Sequence, residues 1–348
     1  MRRIGGPEVR RNVLVDVNNL LYRAHFAFAK DRESQALPPL TVSLPSAEGT
    51  LEVDAGLVHA SLRILASWIY DIQSPTRIVA FFDGLPTRRL SMYPGYKKTA
   101  KDEGRRSFFL ESSGSEGILQ DGTKVHGSVS ILSHVLRLLG CDVYHHPDEE
   151  ADDMIATFVR SDAESGSVNI IMSSDKDFFQ LVSGRTVVYR PGPKTPRIHD
   201  AERVKDCMES LYKVRVGPSG IRMFKALTGD SSDGIVGIRG LRKKVAAPMC
   251  HFGSVEEVYG SGLPGFSDGE RRKTIESREA VELNWRLVGF FDKLDLHACL
   301  RPGIADFKLA ARVLREDLQM PDADLLPFRV GPHSIRQVST LPDWLSDV

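Results

Sequence analysis

VNIIMSSDKD (168–177) is an apolar run that ends in acids, and two other stretches of the chain repeat this design. They are NVLVD (12–16) and IVAFFDG (78–84), each of which carries an aspartate at or beside its end. Short apolar runs of this kind predict strands that are buried on both faces. Apolar residues at helical spacing follow over 56–71 and 150–160. Strands that alternate with helices predict an α/β fold with a mainly parallel central sheet flanked by helices.

The remaining elements continue this alternation. We expect a helix over 127–140 and strands over 141–146 and 186–192, and the pattern turns helical from about residue 205. Residues 31–55 are rich in Pro, Ser and Thr and predict a loop or weak hairpin. Because ligands bind at the carboxyl ends of parallel strands, the acids that end three strands are expected to meet there.

Composition favours a folded intracellular protein. Of 348 residues, 41% are hydrophobic, which is enough for a sizeable core. The four cysteines form no Cys-x-x-Cys pair, so neither a zinc site nor a disulfide framework is indicated. No apolar run approaches the roughly 20 residues that a membrane span needs. We therefore expect a cytoplasmic protein with no membrane association.

Charge is balanced overall but unevenly distributed. There are 46 Lys and Arg residues against 46 Asp and Glu residues. Residues 86–106 nevertheless carry seven basic side chains against two acids, and a second basic patch lies over 239–244. A chain that separates its charges in this way can hold a polyanion and metal ions together.

Nine acids lie at strand ends, at a helix start or in a Gly-flanked turn. They are Asp16, Asp83, Glu150, Asp152, Asp153, Asp175, Asp177, Asp230 and Asp233. So many like charges in one cleft would repel strongly, and divalent cations remove that penalty. Oxygen ligands suit Mg²⁺, for which Mn²⁺ can substitute. Two such ions can activate water and stabilise the leaving oxygen of a phosphodiester.

Each acid also has a purely structural interpretation. Glu150, Asp152 and Asp153 would favour the dipole of the helix that they begin. Asp230 and Asp233 are ordinary turn residues. This interpretation must explain five separate coincidences, and the metal-site interpretation explains them together.

At these motifs the sequence resembles the 5′ nuclease family, which includes bacteriophage 5′-3′ exonucleases, flap endonucleases and the nuclease domain of bacterial DNA polymerase I. The motifs follow the family order over roughly residues 12–296, and they are VDVNNLLYRAHFA (15–27), FFDG (81–84), YPGYKK (93–98), EADDMIA (150–156), SSDKDFFQL (173–181), LTGDSSDGIVGIRGLRKKVA (227–246), FGSVEEVY (252–259) and NWRLVGFFDKLDL (284–296). The resemblance implies a PIN-like domain over 1–204, a helical arch near 86–126, a helix-hairpin-helix region over 205–300 and a tail over 301–348.

The resemblance also implies two sets of metal ligands. We call Asp16, Asp83, Glu150 and Asp152, with Asp153 beside them, the first acid group. Asp175, Asp177, Asp230 and Asp233 form the second acid group. Arg89, Tyr96 and Lys97 match the base of the arch, where Lys97 resembles the lysine that contacts the scissile phosphate and Arg89 steadies it. Tyr22 and Arg23 stand where the family places residues near the bound strand, and Arg88 and Lys98 add basic charge there.

GIRGLRKKVA (237–246) resembles the family's hairpin, which presents backbone N–H groups to duplex phosphates, often around a monovalent cation such as K⁺. Gly237 and Gly240 supply the turn, and Lys243 and Lys244 add charge. Arg242 replaces the second glycine of this hairpin. The cation site and a direct contact from Arg242 to phosphate therefore stay open as alternatives.

The implied activity is metal-dependent hydrolysis of DNA near 5′ ends and flap junctions by a two-metal-ion mechanism, in replication, primer removal or repair. Alternatives are RNase H-like removal of RNA from RNA–DNA hybrids, a non-catalytic module that binds DNA junctions, and a PIN-type ribonuclease. A PIN-type ribonuclease would lack the hairpin and the basic arch, and a non-catalytic relative would be expected to lose acids. We expect a monomer whose partners include DNA and replication proteins.

Overall fold

A computed structural model of the chain describes residues 10–35, 41–46, 49–72, 75–97, 122–163, 165–192 and 197–320. A seven-stranded sheet forms the centre of this part of the chain, and helices pack on both of its faces. The expected α/β fold is confirmed.

The strands, in chain order, are β1 (Arg11–Asp16), β2 (Thr41–Ser46), β3 (Gly49–Asp54), β4 (Arg77–Phe82), β5 (Asp142–His145), β6 (Val168–Met172), β7 (Thr186–Tyr189), β8 (Ile198–His199), β9 (Gly229–Asp230), β10 (Ile235–Val236) and β11 (Leu300–Arg301). The large sheet has the order β11-β5-β4-β1-β6-β7-β8. Its five inner strands are parallel, and β8 and β11 pair antiparallel at the two edges. Two small hairpins, β2–β3 and β9–β10, lie outside it.

The helices, in chain order, are α1 (Val17–Gln35), α2 (Ala55–Ile72), α3 (Thr87–Met92), α4 (Gly122–Leu138), α5 (Ala151–Ser161), α6 (Ala201–Tyr212), α7 (Ile221–Thr228), α8 (Lys243–Ala246), α9 (Val255–Gly260), α10 (Asp268–Glu276), α11 (Arg278–Val288), α12 (Leu296–Cys299) and α13 (Phe307–Arg312). One face of the sheet packs against α1, α2 and α4, and the other packs against α5 and the helical region after residue 200.

The sheet is buried because alternate residues of its strands enter two separate cores. In β1, Val13 and Val15 pack into the first core, and Leu14 packs into the second. Val13 lies level with Ile78 of β4 and Ile170 of β6, so three apolar side chains form a row. This register brings the carboxyl ends of β1, β4 and β6 to one edge, where the acids follow.

Several segments add to the sequence-based expectations. The hairpin expected within 31–55 is confirmed as β2–β3, whereas residues 31–35 form the end of α1. β11, at residues 300–301, returns to the edge of the large sheet and pairs with β5, so the chain after the helical region packs against that sheet. Helix α13 ends at Arg312 and continues as a π-helical turn over Val313–Asp317.

Some predictions fall outside the described residues. Residues 98–121 of the expected arch and 321–348 of the expected tail are among these. The division into domains at residues 204 and 300 stays a prediction. Among the described helices, none is long and apolar enough to cross a membrane.

Candidate metal centre and active site

A cleft with a volume of about 350 Å³ opens at the carboxyl ends of β1, β4 and β6. Seven of the nine predicted acids line it, and they are Asp16, Asp83, Glu150, Asp152, Asp175, Asp177 and Asp233. Asp230 lies next to Asp177 and Asp233. Asp153 alone among the nine points elsewhere.

Hydrogen bonds fix Asp16, which ends β1, and Asp83, which follows β4. Asp16 accepts a hydrogen bond from the backbone N–H of Asn19 at 3.0 Å and another from the Ser173 hydroxyl at 2.7 Å. Asp83 accepts one from the backbone N–H of Ala151 at 2.6 Å. Burial raises the pKa of Asp16 to about 6, and burial together with the Asp16 charge raises that of Asp83 to about 7. Burial and mutual repulsion therefore disfavour the charged forms of these carboxylates.

Glu150 is the member of the first acid group whose negative charge is balanced by two basic side chains. Its carboxylate binds the Lys97 ammonium at 2.6 Å and also the Arg89 guanidinium. Burial alone would raise the pKa of Glu150, and the two cations instead bring it to about 2. Asp152 has no such partner among the described residues, and burial with the nearby Asp16 charge raises its pKa well above the ordinary value.

Arg89 and Asp153 form a buried brace, which corrects two expectations. Arg89 donates to both oxygens of Asp153 at 2.6 and 2.8 Å and to the carbonyls of Leu287 and Gly289 at 3.0 and 2.9 Å. Asp153 also accepts from the backbone N–H of Phe291 at 2.9 Å. The Arg89 side chain is only 5% exposed. With their polar atoms committed in this way, Asp153 is not placed to bind a metal, and Arg89 is not placed to contact phosphate.

The second acid group is where carboxylate oxygens come closest together. Oxygen atoms of Asp177, Asp230 and Asp233 lie within 4.8 Å of one another. The Lys225 ammonium contacts Asp177 and lies 2.5 Å from Oδ2 of Asp230. Burial alone would raise the pKa of Asp230, and Lys225 with the Ser232 hydrogen bonds brings it below the ordinary value. Burial raises the pKa of Asp233 to about 6.

Two glycines position this second group. Gly229 has a φ of +80°, and a Cβ there would lie 2.4 Å from the backbone nitrogen of Gly237. A side chain at Gly237 would in turn lie 2.1 Å from the carbonyl carbon of Thr228. Only glycine permits this close crossing of two chain segments, which holds Asp230 at the end of α7.

Lys97 connects the two acid groups. Its ammonium binds Glu150 of the first group, and its backbone N–H donates to the carbonyl of Asp233 in the second at 2.9 Å. Lys97 has a φ of +53°, a left-handed conformation that is costly for a lysine and must be held by its surroundings. The neighbouring Tyr96 is 3% exposed and lies beneath the Lys97 ammonium. Tyr96 thus supports Lys97 and is not placed to stack on a base.

Comparison with known proteins decides the family. A profile of the family described as "5'-3' exonuclease, N-terminal resolvase-like domain" matches residues 11–209. The chain belongs to the 5′-3′ exonuclease family. It is an enzyme of the 5′-3′ exonuclease and flap endonuclease class.

Relatives match over different shares of their length. The chain is 28% identical over 285 residues to the 5′-3′ exonuclease of Aquifex aeolicus, a match that covers 81% of this chain and 82% of that protein. It is 28% identical over 248 residues to flap endonuclease Xni of Aeromonas salmonicida, covering 71% and 78%. It is 30% identical over 250 residues to DNA polymerase I of Mycobacterium tuberculosis, covering 71% of this chain and only 23% of the polymerase. Only the matched part of that polymerase bears on this chain.

Solved structures share the fold. The 5′-exonuclease of bacteriophage T5 with bound zinc has a TM-score of 0.54 at 18% identity, covering 89% of this chain and 95% of that one. The T5 flap endonuclease in a pseudo-enzyme–product complex with DNA and metal ions has a TM-score of 0.53 at 18% identity, covering 92% and 99%.

Tyr22 and Arg23 lie on α1 at the side of the 5′ nuclease cleft. Tyr22 lines both the cleft and a second cavity of about 630 Å³, and Arg23 lines only the second. Arg23 donates to the carbonyl of Pro191 at 2.6 Å. Arg88 is half exposed and binds Glu149 at 2.5 Å. Lys98 lies outside the described residues.

The segment expected to form the hairpin, 237–246, follows α7 and includes α8. Gly240 has a φ of +80°, as the expected turn requires. Lys243 and Lys244 are exposed at the start of α8. Arg242 makes a two-pronged ion pair with Glu270 at 2.8 and 2.9 Å, which the sequence did not reveal. A contact from Arg242 to phosphate would have to compete with this pair.

The sequence motifs did not indicate Lys225, whose ammonium lies inside the second acid group. Lys225 stands five residues before Asp230, and a lysine in a largely apolar helix, IRMFKALT (221–228), is the signal that the sequence offers. The motifs also did not indicate that Asn19 and Ser173 hold Asp16.

Proposed function

We propose that this 5′ nuclease hydrolyses phosphodiesters of DNA near 5′ ends and flap junctions, with two divalent cations, Mg²⁺ or Mn²⁺, held in its cleft. The observation that carries the proposal is the convergence of two acid groups on one cleft, with Lys97 in contact with both. A cleft lined by seven carboxylates suits neither an apolar ligand nor a bare anion.

The side chains present fit hard divalent cations. The oxygens of Asp177, Asp230 and Asp233 are near enough to share one ion, and oxygen donors are the ligands that Mg²⁺ and Mn²⁺ prefer. The ions would be held by Asp16, Asp83, Glu150 and Asp152 in the first acid group and by Asp175, Asp177, Asp230 and Asp233 in the second. Ions of this kind, when bound, lower the pKa of water and stabilise a leaving oxygen.

Lys97 would bind the phosphate that is cut. Its side chain is 33% exposed, so its ammonium reaches the cleft while it holds Glu150. Burial alone would lower the pKa of Lys97, and the Glu150 carboxylate raises it well above the ordinary value, so the ammonium stays charged. A fixed positive charge that is partly shielded from water stabilises the growing charge on a phosphate oxygen. Arg89 acts on this step indirectly, because it holds Glu150 in place.

Duplex DNA would be held by the hairpin region and by the side of α1. The exposed Lys243 and Lys244 can neutralise backbone phosphates, and the N–H groups near Gly237 and Gly240 suit a tight approach of the phosphate backbone. Tyr22, at the rim of the cleft, can stack on a base of the strand that enters it.

The test is cleavage of an end-labelled 5′-flap duplex by the full chain in Mg²⁺, in Mg²⁺ with excess EDTA, and by Asp177→Asn. We expect cutting at the junction in Mg²⁺ only, and a loss of about 100-fold or more in the variant because it lacks a metal ligand. Asp206→Asn, which removes an exposed carboxylate on α6 that pairs with Arg215, serves as the control and should cut normally.

Other outcomes would separate the alternatives. Cutting of an RNA–DNA hybrid in preference to the DNA flap would turn the proposal toward an RNase H-like activity. Binding of the flap without cutting in either Mg²⁺ or Mn²⁺ would indicate a junction-binding module.

The cellular setting follows from the same proposal. The four cysteines are free, which suits a reducing compartment such as the cytoplasm of a bacterium or of a phage-infected cell. We place the chain there as a monomer that removes flaps or primers beside replication proteins. Residues 1–204 would form its catalytic domain, and 205–300 would form its DNA-binding region.

A further inference from the structure

We propose that Lys225 is a placeholder cation, whose ammonium holds the second acid group together before a divalent ion binds and has to leave when one enters. The inference rests on the proposed function only in taking the second acid group as a metal site.

The contacts of Lys225 carry the inference. Its ammonium touches Asp177 and lies 2.5 Å from Asp230, and these are two of the three acids whose oxygens come within 4.8 Å of one another. The side chains of Lys225, Asp177 and Asp230 are only 11–17% exposed, so water screens this triad poorly. A divalent cation bound by Asp177, Asp230 and Asp233 would compete with the Lys225 ammonium for the same carboxylates.

Charge explains why such a lysine is needed. Three carboxylates within 4.8 Å of one another destabilise a fold that holds no counter-ion. The ammonium offsets part of that repulsion, as the Lys97 and Arg89 cations do at Glu150 in the first acid group. A divalent ion offsets more, since it carries twice the charge and binds several oxygens at once.

The geometry of α7 allows the exchange. The backbone of Lys225 is fixed because its neighbours Phe224 and Ala226 are buried in the core. The lysine side chain has four flexible carbons, so the ammonium can swing away while the helix stays in place. The carboxylates then remain where they were, ready for the ion.

Lys225→Met keeps the apolar stem and removes the charge, and Lys205→Met is the matched control. Lys205 forms an ion pair with Glu202 on the exposed side of α6, outside the cleft. In metal-free buffer we expect Lys225→Met to have a lower Tm than the wild type. We also expect it to bind Mn²⁺ about tenfold more tightly at the second site, as measured by calorimetry. Its Tm should rise more on addition of Mn²⁺, and Lys205→Met should follow the wild type in all three measurements.

Lys225→Arg keeps a cation between the two acids and distinguishes a charge effect from a packing effect. Its metal-free Tm should stay near that of the wild type, with Mn²⁺ affinity below that of Lys225→Met. Equal or weaker Mn²⁺ binding by folded Lys225→Met would overturn the placeholder role. A wild type that binds no Mn²⁺ would overturn the proposed function itself, so the two failures are distinguishable.

Discussion

The repulsion between buried carboxylates is offset in different ways in the two acid groups. In the first, Glu150 is buried against Lys97 and Arg89, and Asp153 is withdrawn from the cleft to hold Arg89. In the second, the single ammonium of Lys225 contacts Asp177 and Asp230. The first group is therefore part of the framework that joins the sheet to the helical region, whereas the second is free to exchange its cation.

Arg89→Ala tests the framework side of this comparison and should have the largest effect. It leaves Asp153 and part of Glu150 buried without a counter-charge, so we expect a loss of about 3–5 kcal/mol in the free energy of unfolding. Denaturant unfolding measures it. The neighbouring Arg88→Ala removes a half-exposed pair with Glu149 and should cost less than about 1 kcal/mol. Equal losses of unfolding free energy in the two variants would mean that Arg89 has no special role in stabilising the fold.

Asp153→Asn and Asp152→Asn test which adjacent acid serves structure and which serves metal. Asp153→Asn should lose about 2–3 kcal/mol of stability, because it weakens charged hydrogen bonds to Arg89, and should keep its Mn²⁺ affinity. Asp152→Asn removes a charge that burial already disfavours, so the metal-free protein should be at least as stable as the wild type, while Mn²⁺ binding weakens by about 10–100-fold. The reverse pattern would restore Asp153 as a ligand.

The pH dependence of metal-free stability sharpens the comparison further. Asp83 has a pKa of about 7, and Asp16 and Asp233 have values of about 6, all raised from 3.8, mainly by burial. Between about pH 4 and pH 7 the folded state binds more protons than the unfolded one, so these groups make the metal-free protein less stable as pH rises.

Metal binding should show the opposite trend. Bound ions need deprotonated carboxylates, so the rise in Tm caused by Mg²⁺ should grow from pH 6 to pH 8. Thermal melts in EDTA and in Mg²⁺ across this range measure both effects. A metal-induced rise that is the same at pH 6 and pH 8 would count against shared metal ligation by these acids.

The smallest expected effect is at the hairpin. Arg242 is paired with Glu270, whereas no acid is seen to pair with Lys244 among the described residues. Lys244→Ala should reduce the slope of log K for DNA binding against log salt concentration by the amount that corresponds to about one phosphate contact. Arg242→Ala should reduce this slope less. A larger change for Arg242→Ala would mean that this arginine leaves Glu270 to contact phosphate.

The sequence was a good guide where a local pattern fixes the outcome. The apolar runs that end in acids predicted β1, β4 and β6, and parallel pairing brought Asp16 and Asp83 to the same edge of the sheet. The brace of Arg89 with the carbonyl of Gly289 joins positions 200 residues apart, which no local pattern records. The same holds for β11 and for the pairing of Arg242 with Glu270, since both depend on how the helical region packs.

The number of Mn²⁺ ions bound per chain, measured by calorimetry at pH 8, tests the central claim most directly. The wild type should bind two ions, and an Asp177→Asn/Asp230→Asn variant should bind one, because the first acid group is left intact. A wild type that binds a single ion, or a variant that still binds two, would contradict the account of two acid groups as two metal sites.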